Sequence, residues 1–353
     1  LGRLVGSEMC IRDSNDTLTS ELSMVKGTSL TVSRDTNLGT LKAIWSKRET
    51  EWFDRLDLDG GPFNIAETAR DTEYEADTFE LQLSGSTENM DYVIGYYMLE
   101  DDAYTSNPQS YFLGGSTIVQ NYSGTSEAEA VFGQITWAFA EKWDLTIGAR
   151  KTEEDKTGFK EYVGIFGQSG AGSFDDTTST FILEHDFSEN TNVYLKVAEG
   201  FKAGGINAEA PTPFESLKPY SPETIESKEL GLKGRYLDNR MMLNVAYFDN
   251  QHEDMQISYF TADAAAASQV LNNSADISGL EIESMTMLND STVLRLNFST
   301  LDAEATGNVI AQDGFLVNNI PYSPEKTLYA SLEKDFGAYR AVSYTHLRAH
   351  ETS

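Results

Sequence analysis

His252, Glu253 and Asp254 stand side by side in DNQHEDMQ and offer an imidazole nitrogen and carboxylate oxygens, the donors that divalent metals take. No second histidine follows at ligand spacing, so the segment reads as a solvated loop. Asp57 and Asp59 in RLDLDGGPFNIAE invite calcium, but an EF-hand register would put Arg55 at the first ligand place and Ala66 at the bidentate one. They read as loop acids. His185, on the apolar face of FILEHDF beside a turn, reads as an interface histidine. Serines are plentiful, yet no Gly-x-Ser-x-Gly elbow joins a strand to a helix, and four histidines are too few to assemble a triad. Acidic pairs are so common that choosing two for glycoside hydrolysis would be arbitrary. The expectation is a protein that is not an enzyme, with no metal site and no cofactor, whose chemistry lies in what it binds.

Composition narrows the binding class. Of 353 residues, 23% are charged and 11% aromatic, and the formal net charge is -30. Clustered Lys and Arg, which a phosphate backbone requires, are missing, so no nucleic-acid partner is expected. No run of about 18 apolar residues offers a spanning helix. The two ends, LGRLVGSEMCIRDS and VSYTHLRAHETS, show neither strand nor helix period and look like translated adapter sequence. Residues 1–14 and 342–353 are therefore set aside as non-native, which removes Cys10, the one cysteine. The body, residues 15–341, then has no disulfide and no thiolate metal site.

The elements that must position any site alternate with a period of two. In WDLTIGAR, Trp143, Leu145, Ile147 and Ala149 are apolar, while Asp144, Thr146, Gly148 and Arg150 are polar or small. The pattern recurs at Phe79, Leu81 and Leu83, at Val193, Leu195 and Val197, at Met241, Leu243 and Val245, and at Leu294 and Leu296. Tight polar breaks fall near residues 36–37, 87–89, 141–142, 188–190, 238–239, 289–290 and 335–337, spaced by roughly 50 residues. Between them lie two strands and one long acidic connection, such as DDAYTSNPQSYFLGGSTIVQNYSGTSE. Short turns at one end and long loops at the other are the arrangement of a transmembrane barrel. Aromatic residues beside the short turns, among them Tyr92, Trp137, Phe139, Trp143, Phe187, Tyr194, Tyr236, Phe336 and Tyr339, would then form an interfacial girdle. The fold expected is all-β, an antiparallel meander of about 14 strands from near Ser29 to near Ala341.

VYLKVAEGFKAGGIN, followed by PYSPETIESKELGLKGRYLDNRMMLNVAYFDNQHEDMQI, resembles the middle of the barrel of TonB-dependent outer-membrane receptors. The resemblance rests on Gly200, Phe201, Lys202, Gly204 and Gly205, then Tyr220, Pro222 and Glu223, then Glu229, Leu230, Gly231, Leu232 and Lys233, and later Gly279, Glu281 and Glu283. It implies part of a barrel of about 22 strands, plugged by an N-terminal domain of about 120 to 150 residues that this chain lacks. It also implies active uptake of a ferric siderophore or another bulky nutrient through the outer membrane of a Gram-negative bacterium. Its partners would be outer-membrane lipid and lipopolysaccharide, a small-molecule ligand and, through the plug, the inner-membrane TonB complex. The chain is expected to be cut at both ends.

Ligand contacts are expected from long loops and neighbouring lumen-facing residues: Tyr104, Tyr111, Phe112, Tyr122, Arg150, Lys202, Asn207, Tyr220, Tyr259 and Phe260. Acidic loops would disfavour a strongly anionic chelate unless a basic pocket offsets them. Two alternatives stay open. One is a passive porin-like channel. The other is a secreted or surface β-rich binding protein, such as an adhesin, with its greasy face buried between sheets.

Overall fold

The computed structural model describes residues 19–63, 65–111, 115–207, 219–260, 268–307, 320 and 323–349. Its strands are β1 Ser20–Thr36, β2 Gly39–Asp57, β3 Ala66–Ser86, β4 Met90–Tyr111, β5 Ser116–Ala140, β6 Trp143–Tyr162, β7 Phe166–Ser188, β8 Thr191–Lys202, β9 Gly205–Ile206, β10 Pro219–Tyr220, β11 Glu223–Tyr236, β12 Met241–Phe260, β13 Ser268–Asn289, β14 Thr292–Ala305, β15 Lys326–Asp335 and β16 Arg340–Ala349. Fourteen of them form one sheet in the order β1 to β8 and then β11 to β16, every neighbouring pair antiparallel. β9 and β10 pair with each other, and this small hairpin touches β6 and β7 on one side and β13 on the other. Strands so far apart in the sheet can meet one hairpin only if the sheet curls, which defines an inward face and an outward one.

The two faces invert the usual burial. The buried hydrophobic residues described are all alanines, whereas Thr105, Asn107, Gln109, Thr146 and Lys160 are buried on the inward side. Ile147 is 54% exposed and Leu230 55%, and both point outward with the other apolar rows. Leu195, Leu230, Tyr247 and Leu280 make one such row across β8, β11, β12 and β13. No second layer covers these rows among the described residues. A water-soluble sandwich would bury them; a wall between lipid and a wet lumen leaves them outside.

The outward apolar band has a sharp upper limit. Asp77, Glu100, Glu127 and Asp155 fall in one cross-strand row, and Glu129, Glu153 and Asp175 in the row beside it. Unpaired charges are not tolerated in hydrocarbon, so a lipid layer against the apolar band would end at these rows. Like charges opposite one another repel. Lys47, opposite Asp77 in the first row, is held charged: its hydrogen bond to Glu75 pushes the ammonium pKa above its usual range. At the other limit sit the short turns and their rings. Trp137 and Phe139 lie with centroids 5.8 Å apart, and Trp143 stacks at 4.2 Å on His185, whose Nδ1 lies 3.0 Å from the Lys142 carbonyl. Lys142 and the run Leu237 to Asn239 take positive φ, as tight hairpins require.

Five expectations are corrected. Most of the segment read as a long connection after Glu100 is strand, because β4 runs to Tyr111 and β5 resumes at Ser116 with Tyr111 opposite Ser116. The hydrophobic period marks only the roughly 10 residues that cross lipid; beyond it both faces are wet and the strand continues without its signature. For the same reason β1 begins at Ser20 rather than near Ser29, and DNQHEDMQ lies within β12. β16 runs past Ala341, the edge drawn from the sequence, because ladder pairing with β15 needs backbone groups rather than an apolar pattern. Tyr194 leaves the girdle: its ring lies inward, against Gly231.

Ile147→Arg puts a charge near the middle of the outward band. In lipid vesicles it should lower unfolding stability by about 2–4 kcal/mol in a urea titration. A loss below about 0.5 kcal/mol, the level of an ordinary water-exposed site, would contradict the lipid-facing assignment.

Candidate ligand site on the inward face

After Lys202 the chain leaves the sheet and turns inward as β9, returning through β10 to Glu223. Pairing places Pro219 opposite Ile206 and Tyr220 opposite Gly205. The two glycines allow this approach. A Cβ on Gly204 would lie 2.2 Å from the Tyr220 carbonyl oxygen and 2.5 Å from the Phe174 ring, and one on Gly205 would lie 2.3 Å from the Tyr220 hydroxyl. The separate motif pieces carrying Gly204, Gly205 and Tyr220 therefore meet in one strap.

Amide side chains pin the strap across the lumen. Asn207 donates to the Val270 carbonyl at 3.1 Å and accepts from its N–H at 2.8 Å. Asn272 accepts from Ser221 N–H at 2.8 Å and donates to the Ser221 and Asp254 carbonyls at 3.0 and 2.7 Å. Gln256 donates to the Ala203 carbonyl at 2.8 Å. Glu223 accepts from the Gln256 N–H at 3.0 Å and meets His252 Nδ1 at 3.2 Å and Lys202 Nζ at 4.0 Å. A bulge between His252 and Met255, with Asp254 at φ 53°, frees the Gln256 N–H from the ladder for this contact. His252, Glu253 and Asp254 are thus a bulge at the strap's root rather than a solvated loop.

Lower on the same face, strand parity sorts the motif in β11. Glu229 and Lys233 point inward, Leu230 and Leu232 outward, and Gly231 leaves room for a ring. A Cβ there would lie 2.2 Å from Tyr194 Cζ. The Tyr194 hydroxyl donates to Glu229, and Lys233 Nζ sits 4.8 Å from the ring centroid. Gly279 serves Phe248 likewise, 2.7 Å from a built Cβ, and Glu281 follows inward on the same strand.

The remaining candidates divide. Tyr122 and Tyr220 line one cavity, with Asp101, Thr105, Ser126 and Lys156. Tyr111 joins a polar chain: its hydroxyl donates to Gln109 at 2.7 Å, Gln109 donates to Asn107 at 2.9 Å, and Asn107 donates to Thr68 at 2.7 Å. Arg150 stands inward, its guanidinium 5.5 Å from Tyr97 and 5.6 Å from Phe132. It lies six residues below Lys156 on β6, about 20 Å away at strand rise. Asn207 holds the strap, and Lys202 faces Glu223 across β8 and β11 at its root. Tyr104 points outward and is 42% exposed. Tyr259 and Phe260 end β12, opposite Gln269 and Ser268; Phe112 lies outside the described residues. Sequence reasoning missed Asp101, Thr105, Ser126 and Lys156. Carrying the parity of Ile94, Tyr96 and Met98 upward past the apolar band would have placed Asp101 and Thr105 inward. In RLDLDGGPFNIAE, Asp57 accepts from Asp59 and Gly60 N–H, both at 3.0 Å. Asp59 accepts from the N–H groups of Ala66, Gly61 and Ile65, which hold its carboxyl pKa below the usual range. Both carboxylates thereby cap the turn.

With this geometry in hand, the family description that matches residues 12–349 is "TonB dependent receptor-like, beta-barrel". The pesticin receptor of Yersinia pestis is 26% identical over 207 residues, 57% of this chain and 29% of that protein. Among solved structures, the ferric yersiniabactin uptake receptor FyuA from Yersinia pestis superposes with a TM-score of 0.78 at 18% identity, over 92% of this chain and 49% of that one. The copper transporter OprC superposes at 0.74 and 13% identity, over 91% and 51%. The chain spans about half the length of these solved relatives.

Gly231→Val should displace Tyr194 from Glu229 and cost about 1–3 kcal/mol, the range for overpacking. Leu230→Val, outward on the next residue, should cost less in the same urea titration. Equal losses would show that the covered glycine has no special role.

Proposed function

The chain belongs to the TonB-dependent receptor family, in its β-barrel part, and from that premise we propose that it forms the barrel wall of a receptor for active uptake of a ferric siderophore or another bulky nutrient. The family is one of outer-membrane proteins of Gram-negative bacteria. The observation that carries the reading is the division of the sheet: apolar rows outside, and inside a wet wall bearing buried amides, an ion-paired motif and an inward strap. Such a wall is built to face a lumen that a ligand enters. The ferric chelate that names one solved relative and the copper that names another leave room for more than one cargo.

Partners follow from the same division. The outward band faces lipid tails, and the acidic rows above it face the headgroup region of the lipopolysaccharide leaflet. Energy would come from the inner-membrane TonB complex acting through a plug seated on the inward motif. The adhesin alternative loses its basis, because no second sheet covers the greasy face among the described residues.

The test is accumulation of radioactive iron, supplied as a ferric chelate, by cells that lack their own chelate receptors and express the receptor carrying this chain. Accumulation should be saturable and should vanish when TonB is removed. Accumulation that persists without TonB would contradict active uptake and favour the passive porin-like channel.

A further inference from the structure

The cavity that brings Tyr122 and Tyr220 together is an open cleft of about 270 Å³ between the strap and the wall of β4, β5 and β6. Its position depends on a close contact. Ile206 of the strap packs on Gly158 of β6, where a Cβ would lie 2.8 Å from Ile206 Cγ2. The strap is thereby seated against the wall, and Tyr220 is brought over the cavity from one side while Tyr122 stands on the other.

The lining has a definite chemistry. Thr105 is 6% exposed, its hydroxyl 2.9 Å from that of Thr72. Ser126 hydrogen-bonds the Asp101 carboxylate. Lys156, a cation of the cavity lining, is paired with Glu154 at 2.8 Å. Asp101 and Glu154 on this face are balanced by Lys156 and by the buried Lys160 opposite Tyr122, so the wall offers no net attraction to an anionic ligand. Asp101 offers acceptor oxygens, while Thr105 and Ser126 offer hydroxyls that donate or accept. Tyr122, Tyr220 and Ile206 offer apolar faces. A volume just under the usual range for drug-sized ligands, about 300–1,000 Å³, suits one ring rather than a whole chelate.

We propose that this cavity is a binding subsite for a single uncharged polyhydroxylated ring, a monosaccharide unit. Hydroxyls of the ring donate to Asp101 and exchange hydrogen bonds with Ser126 and Thr105, and its C–H face lies on Tyr220. Tyr220 is the specificity-determining residue, because it is held over the cavity by the strap. This deepens the uptake reading by naming a chemical class for part of the cargo.

The test is titration of the full chain, solubilised in lauryldimethylamine oxide, a detergent without sugar, using glucose and N-acetylglucosamine as probes. Saturable binding of at least one is expected, with Asp101→Asn and Tyr220→Ala each weakening it about tenfold and glucose 6-phosphate binding about tenfold less tightly than glucose. Tyr220→Ala removes the ring that covers Gly205 and can unseat the strap. Ser126→Ala, on the wall, keeps the strap in place and should weaken binding about threefold, while Tyr220→Phe should retain it. Absence of saturable binding of both sugars to the folded chain would overturn the proposal. So would unchanged affinity in both Asp101→Asn and Ser126→Ala, or equal affinity for glucose 6-phosphate. Binding that follows these expectations while cells accumulate no chelate would count against the uptake reading and leave the subsite standing. TonB-dependent uptake without sugar binding would do the reverse.

Discussion

Lipid hydrocarbon offers no partner to a backbone N–H or carbonyl, so a chain that crosses it must satisfy every such group within itself. Here the long antiparallel ladders meet that demand for the strands between β1 and β16, with β4 and β5 paired residue for residue from Met90 opposite Trp137 to Tyr111 opposite Ser116. Once the ladder is fixed, side chains have only two directions. Everything else follows from that binary choice: apolar rows outward, glycines and polar groups inward, rings at the rim and acids where lipid ends.

The same constraint decides what the sequence could reveal. Alternation is enforced only across the hydrocarbon, so WDLTIGAR and its counterparts gave away the strands, and the tight turns gave away their order. Above the lipid the enforcement lapses. The upper halves of β4, β5 and β12 are polar on both faces and read as loop, although strand pairing continues through them, with one bulge in β12. The boundary between strand and loop was thus obscured by water, not by any lack of structure.

The site was legible in pieces rather than as a whole. Tyr122 and Tyr220 stand 98 positions apart in the chain, and only the inward turn at Gly204 and Gly205 brings them to one cavity. Asn207, expected among the ligand contacts, pins the strap, a role that depends on Val270, which no local pattern links to it. Tyr194 sat near a short turn and so suggested the girdle, but one step of parity turned it inward onto Gly231. A motif resemblance found Glu229, Gly231 and Lys233; register explains them, since a ring needs a bare glycine beneath it and charged neighbours to hold its hydroxyl and its face.

The account stands on which face meets lipid, and the four tryptophans report on it directly. Trp45, Trp137 and Trp143 lie on the outward side, whereas Trp52 lies inward with the Arg70 guanidinium 4.8 Å from its ring. Variants keeping one tryptophan each, with the others replaced by phenylalanine, can be placed in vesicles whose acyl chains carry bromine, a contact quencher. Fluorescence of Trp45, Trp137 and Trp143 should be quenched and that of Trp52 spared. Quenching of Trp52 as strong as the others, or none at the outward three, would contradict the assignment of the two faces.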